Sequence, residues 1–212
     1  INRIKNTSIP INDFKNDKND KNEKLEKLKK KINSIENCNL KNHANQIILG
    51  DGNIHSPIML IGGAPSKEDD LQGKTFVGED GALLKKMLLA INIKKENIYT
   101  AYSVNFFPPE NKKPSSAEIN RYSSFLKNHI SIINPKLILL IGGTAMEALM
   151  GSNSKISSER GSWKEIIIKD FTYSTLITFD PSYLLRFPEN KKYSWKDLKK
   201  LKQKIIDLRL NI

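Results

Sequence analysis

Four short apolar runs interrupt a chain otherwise rich in lysine and asparagine: residues 58–61, 98–104, 137–141 and 175–179. Runs of this length, bounded by Gly, Pro or Asn, read as strands buried on both faces. A shorter run at 166–168 adds another strand, and Ile47-Ile48-Leu49 reads as a brief one before a turn at 50–53. Elsewhere apolar residues recur at helical spacing. Leu25, Leu28, Ile32 and Ile35 predict a helix over 23–36, and Leu83, Leu84, Met87, Leu88 and Ile91 a second. Ser115-Ser116-Ala117-Glu118 is a capping box. It opens a third helix, with Ile119, Tyr122, Leu126, Ile130 and Ile133 inward, which Pro135 ends. Residues 145–150 form a short helix stopped by Gly151. A last helix over about 194–208 turns Trp195, Leu198, Leu201, Ile205 and Leu208 inward. Residues 1–21 are polar and basic and are expected as a disordered or loosely docked arm, with one domain over 22–212.

Strands alternating with helices imply a parallel sheet covered on both faces. Loops after successive parallel strands then converge along one edge, where open α/β sheets bind ligands. The stretch 58–78 fits that place. Its strand stops at Gly62-Gly63-Ala64-Pro65, an acidic turn Glu68-Asp69-Asp70 follows, and Gly73 and Gly78 bracket Phe76. An aromatic held there either stacks on something flat or plugs the loop onto the core.

Composition adds a partner class. The 212 residues carry a net charge of +12, from 35 basic and 23 acidic side chains. Such an excess suits a polyanion, although abundant Lys and Asn also follow from an AT-rich genome. Between Arg186 and Arg209 alone there are nine basic and three acidic residues. No apolar run reaches membrane-spanning length, and the opening residues carry no charged-then-apolar leader pattern. The single Cys38 rules out a disulfide within the chain and an all-cysteine metal cluster built by one chain. A cytoplasmic, monomeric protein is the expectation. His43, His55 and His129 lie far apart and read as structural or surface groups.

Five motifs in order resemble the uracil-DNA glycosylase superfamily, closest to its bacterial iron–sulfur, family 4-like branch. They are the 62–78 stretch with Gln72-Gly73-Lys74-Thr75-Phe76-Val77-Gly78, then Val104-Asn105-Phe106-Phe107-Pro108-Pro109, then Asn134-Pro135-Lys136 through Gly142-Gly143-Thr144-Ala145. Arg160-Gly161-Ser162-Trp163 and Asp180-Pro181-Ser182-Tyr183-Leu184-Leu185-Arg186 complete the set. The resemblance implies a three-layer α/β/α sandwich around a central four-stranded parallel sheet, and DNA as partner. It implies a base-binding group of Gly63, Ala64, Phe76, Tyr102 and Asn105. It also implies a DNA-facing loop of Ser182, Tyr183, Leu184, Leu185 and Arg186, whose apolar residues enter the duplex; the basic final helix adds Lys199 and Lys200.

The departures fall on chemistry. Tyr102 stands where the family has a base-reading Asn, and Asn105 substitutes only if the strand is bulged. Asp180 replaces a His that donates to the leaving base; an ionised Asp accepts only, so it helps either protonated or by placing water, and otherwise caps the turn before Pro181. Gly63 replaces a Glu, leaving Asp69 and Asp70 either to orient water or to form a solvated acidic turn. Ile35, Phe106 and Tyr122 stand at three of four cluster-cysteine positions, so no iron–sulfur cluster, other cofactor or metal is expected. The sequence leads to a DNA repair protein recognising uracil or a damaged base, with N-glycosidic hydrolysis weak, altered or lost. A non-catalytic DNA-binding protein on the same fold and a nucleotide-binding protein are the alternatives.

Overall fold

A computed structural model describes residues 12–212 of the chain. Helix α1 (Asn12–Asn33) starts inside the segment expected as an arm, while residues 1–11 of that arm lie outside the described residues. There follow α2 (Asn39–His43), β1 (Gly50–Gly52), β2 (Ile58–Gly62), α3 (Lys67–Gln72), α4 (Gly78–Leu89) and β3 (Tyr99–Tyr102). Then come α5 (Ser116–Ile133), β4 (Leu137–Ile141), α6 (Gly143–Met150), α7 (Ile156–Glu159), β5 (Trp163–Ile168), β6 (Phe171–Thr178), α8 (Pro181–Arg186) and α9 (Lys191–Asp207).

The sheet has six strands in the order β1-β3-β2-β4-β6-β5. The four inner strands pair in parallel, Leu60 lying opposite Thr100 on one side and Leu139 on the other. β1 and β5 run antiparallel at the edges, so the sheet is mixed; β5 contains the strand expected at 166–168. The turn expected at 50–53 is itself edge strand β1.

Side chains alternate across the inner strands. Met59, Ile61, Ala101, Ile138 and Leu140 meet α1, α2, α5 and α6 on one face. Ile58, Leu60, Tyr102, Leu139 and Ile141 meet α4 and α9 on the other. Three layers result, because every inner strand is buried on both sides and needs a helix over each. The capping box at Ser115 forms as the sequence predicts, and Asn134 ends α5 in the left-handed conformation. No described helix is long and apolar enough to cross a membrane.

Helix α9 differs in phase from the expectation. Leu198, Leu201 and Ile205 are buried, but Trp195 is 43% exposed and Leu208 46%. Ser194 and Asp197 take the interior instead, because Thr178 donates to Asp197 Oδ2 at 2.9 Å and Arg160 pairs with the same carboxylate. A buried carboxylate must keep its partners, and that requirement sets the rotation of the helix.

Candidate functional site

Beyond the C-terminal ends of the inner strands lies an open cleft of about 870 Å³. Gly63–Ser66 follow β2, Gly142–Thr144 follow β4, and Phe179 and Asp180 follow β6; all line it. Pro108, Lys112, Lys113 and Pro114 close one side. Asp80 from α4 and Ser182, Tyr183, Leu185 and Arg186 from α8 close the other. The topology dictates the place: parallel strand ends share one edge, and their outgoing loops diverge around a crevice.

Tyr102 lies behind the cleft wall rather than on it. Its ring packs on Phe76 with centroids 4.9 Å apart, and its hydroxyl donates to Asp69 Oδ2 at 2.7 Å while accepting from Phe76 N at 2.9 Å. Phe76 is 5% exposed, with φ of +50°. The Lys95 ammonium donates to its carbonyl at 3.2 Å. Gly62 admits both rings: a Cβ there would lie 2.7 Å from Phe76 Cζ and 2.8 Å from Tyr102 Cε1. Neither ring lines the cleft.

Asp69 and Asp70 are bound into the structure, which corrects both readings left open for them, a water-placing pair and a solvated turn. The turn is helix α3, opened by a capping box in which Ser66 accepts from Asp69 N and Asp69 accepts from Ser66 N. Asp69 accepts further from Val77 N at 2.8 Å and from Tyr102. Asp70 accepts from the backbone N of Asn45 and Gln46 and from Asn45 Nδ2. Both carboxylates are fully buried. Asn105 is also buried and turned away: it donates to Ile48 O at 3.0 Å and receives Ile48 N at its own carbonyl. It fixes the segment before β1 and does not line the cleft, against the expectation of a base-binding place.

Asp180 caps α8, accepting from Ser182 N at 2.8 Å, and still lines the cleft. Burial holds its carboxyl above the usual carboxylate range, against the bonds from Ser182 and the charge of Arg186. Asp80, which sequence reasoning passed over, lines the same cleft from the first turn of α4. Burial, with the charges of Asp69 and Asp180, pushes it up to about 6. Its only sequence signal was its place directly after the Phe76-Val77-Gly78 turn. Ala64 and Gly63 line the cleft as expected, but a Cβ on Gly63 would sit 2.9 Å from Thr144 Cβ, so the first turn of α6 excludes a larger side chain.

The α8 loop is divided. Ser182, Tyr183, Leu185 and Arg186 face the cleft, whereas Leu184 is fully buried and cannot enter a duplex. Lys199 lies 5.9 Å from the Trp195 ring, and Lys200 Nζ donates to Gly161 O; neither lines the cleft. Lys113, at the cleft's other side, pairs with Glu147 at 3.2 Å.

The positions of the family's cluster cysteines form a packed corner. Cys38 Sγ lies 3.2 Å from the Tyr122 hydroxyl, and Phe106 meets Tyr122 edge-on at 6.3 Å. One thiol among apolar and aromatic side chains does not fit an iron–sulfur cluster, which takes four thiolates. No group of three or more metal-ligating side chains occurs among the described residues. His43 and His55 are exposed. His129 is buried against the Tyr99 hydroxyl at 2.9 Å, and burial lowers it to about 3.

The sequence model of the Uracil DNA glycosylase superfamily matches residues 49–202. The chain belongs to this superfamily. Among its relatives, the type-4 uracil-DNA glycosylase of Thermotoga maritima is 34% identical over 73% of this chain and 79% of the relative. That of Archaeoglobus fulgidus is 26% identical over 81% and 88%, and that of Sulfurisphaera tokodaii 31% identical over 80% of each. The family 4 branch is therefore the right one, and the α/β fold is that of the superfamily.

Proposed function

We propose that the protein recognises uracil or a damaged base in DNA through this cleft, in base-excision repair, and that it hydrolyses the uracil glycosidic bond weakly or not at all. The supporting observation is Tyr102. Its ring packs against that of Phe76 beside Gly62, and its hydroxyl is committed to Asp69 and to Phe76 N. A base that is to be stacked on Phe76 would have to displace it. The chemical groups agree. Asp180 offers an acceptor where a leaving base needs a donor, and loss of one such donor typically costs about 10²–10³ in rate. Position 63 holds no acid and has no room for one. The cleft itself persists, with Leu185 and Arg186 on its rim for DNA contact.

The test is incubation with single- and double-stranded oligonucleotides containing uracil, hypoxanthine or xanthine, followed by alkaline cleavage of abasic sites. Binding to DNA is expected with uracil release slow or undetectable. Asp180→His alone should recover little, since Tyr102 still covers Phe76; with Tyr102→Asn added, more should return than with either change, because groups acting as a unit fail non-additively. Rapid uracil release by the unmodified protein would overturn the proposal.

One observation favours a second reading, turnover of another base. The Asp80 carboxyl faces the cleft and ionises near neutrality, as a water-placing group should. Release of hypoxanthine or xanthine that Asp80→Asn abolishes would establish it.

A further inference from the structure

Five side chains form a continuous ladder along one wall of the cleft and out of it. The ring of Phe187 packs against Tyr183 at 5.0 Å with the planes tilted by 40°, and Tyr183 against Phe179 at 4.9 Å with a tilt of 39°. The Arg160 guanidinium lies 5.4 Å from the Phe179 ring and 5.2 Å from that of Tyr193. Tyr183 and Phe179 line the cleft, while the two ends of the ladder stand in water, Phe187 at 45% and Tyr193 at 37% exposure.

The guanidinium in the middle is rigidly held. Arg160 Nε donates to Asp197 Oδ2 at 3.0 Å, a second nitrogen pairs with Oδ1, and the same nitrogen donates to Tyr193 O at 2.8 Å. Its edge is therefore satisfied by a buried carboxylate, and its planar faces remain for the rings. Around the outer rungs, residues 186–196 carry Arg186, Lys191, Lys192 and Lys196 against the single acid Glu189, and all five are exposed.

We infer that this ladder seats unpaired bases of single-stranded DNA that run past the cleft. Exposed rings set among cations are the chemistry that binds single strands, since any base offers a π-face and the lysines follow the phosphates. A duplex keeps its bases stacked on one another and offers the rings nothing flat. The positive charge around the rings argues for a polyanion over an apolar protein surface. The inference rests on DNA being the partner and adds which form of it the α8–α9 wall engages.

The test is fluorescence anisotropy of the full chain, at one fixed salt concentration, with an end-labelled oligothymidylate of about 20 nucleotides and with its duplex with oligoadenylate. Neither contains a target base, so occupancy of the cleft by a lesion does not enter. Phe187→Ala and Tyr193→Ala should each weaken single-strand binding about five-fold or more and the duplex by less than about two-fold. Phe187→Tyr and Tyr193→Phe should keep single-strand binding, which separates loss of a stacking face from loss of fold. Alanine variants that bind the single strand as the parent does, or that lose both forms equally while still melting cooperatively, would overturn the ladder's role. Duplex binding with no single-strand binding would sink this inference and leave the proposed function standing; binding of neither would sink both.

Discussion

The Tyr102 hydroxyl joins two loops, and the Asp69 carboxylate takes three donors in return, so the groups behind the cleft wall are committed to one another. Asp80 has no such employment. Its carboxylate accepts from Gly81 N at 2.8 Å, on its own helix turn, and faces the cleft with its proton held up to about pH 6. A carboxyl whose folded pKa lies above its unfolded value binds more protons in the native state through that interval, so stability falls as pH rises through it. The penalty is absent below about pH 4 and complete above about 6. Asp80→Asn is therefore expected to melt near the parent's temperature at the acid end and above it at neutral pH, with the gap opening across that window; a gap independent of pH would mean that Asp80 ionises normally. Asp80 was not legible in the sequence because Glu79-Asp80 reads as an ordinary acidic first turn of a helix. Only the packing of α4 beside α8 brings it to the cleft. Leu184 failed for a related reason. Two adjacent leucines point about 100° apart on a helix, and the sequence does not say which one faces in.

Among the elements, those defined by a strong period were legible and those defined by a polar partner were not. The inner strands and α5 follow from their apolar runs and caps. The phase of α9 does not, because Trp195 and Leu208 continue an i, i+3 pattern as well as Leu198 and Leu201 do, and the buried Arg160–Asp197 pair decides between the faces. That pair also explains the glycine between Arg160 and Ser162. Gly161 has φ of +72°, and a Cβ on it would lie 2.5 Å from Asp197 Oδ1. Gly161→Ala should lower the melting temperature by about 5 °C or more, through backbone strain and displacement of a buried carboxylate. Gly143→Ala is the matched control: nothing lies within 4 Å of the added carbon, and at the start of α6 the change should leave the melting temperature nearly unaltered. Equal effects at the two positions would mean that the contact at Asp197 carries no weight.

For the molecule as a whole, the sequence pointed to three layers and to one edge where the motifs converge. It did not show edge strand β1, since Gly50-Asp51-Gly52 has no apolar signal, nor that β1 and β5 run antiparallel to the rest. Charge is distributed unevenly over this frame, with nine cations and three acids between Arg186 and Arg209. DNA binding should weaken steeply with added salt, in proportion to the phosphate contacts made. Arg186→Glu together with Lys192→Glu should flatten the slope of log K against log salt by about two contacts. An unchanged slope would place the DNA elsewhere on the surface. The corner where α1, α2 and α5 meet bears on a different property. Cys38 is the chain's single sulfhydryl, 5% exposed and set against the Tyr122 hydroxyl. An alkylating reagent reaches it only when that corner breathes, so the sulfur acts as a built-in clock for local opening on the face of the sheet remote from α9.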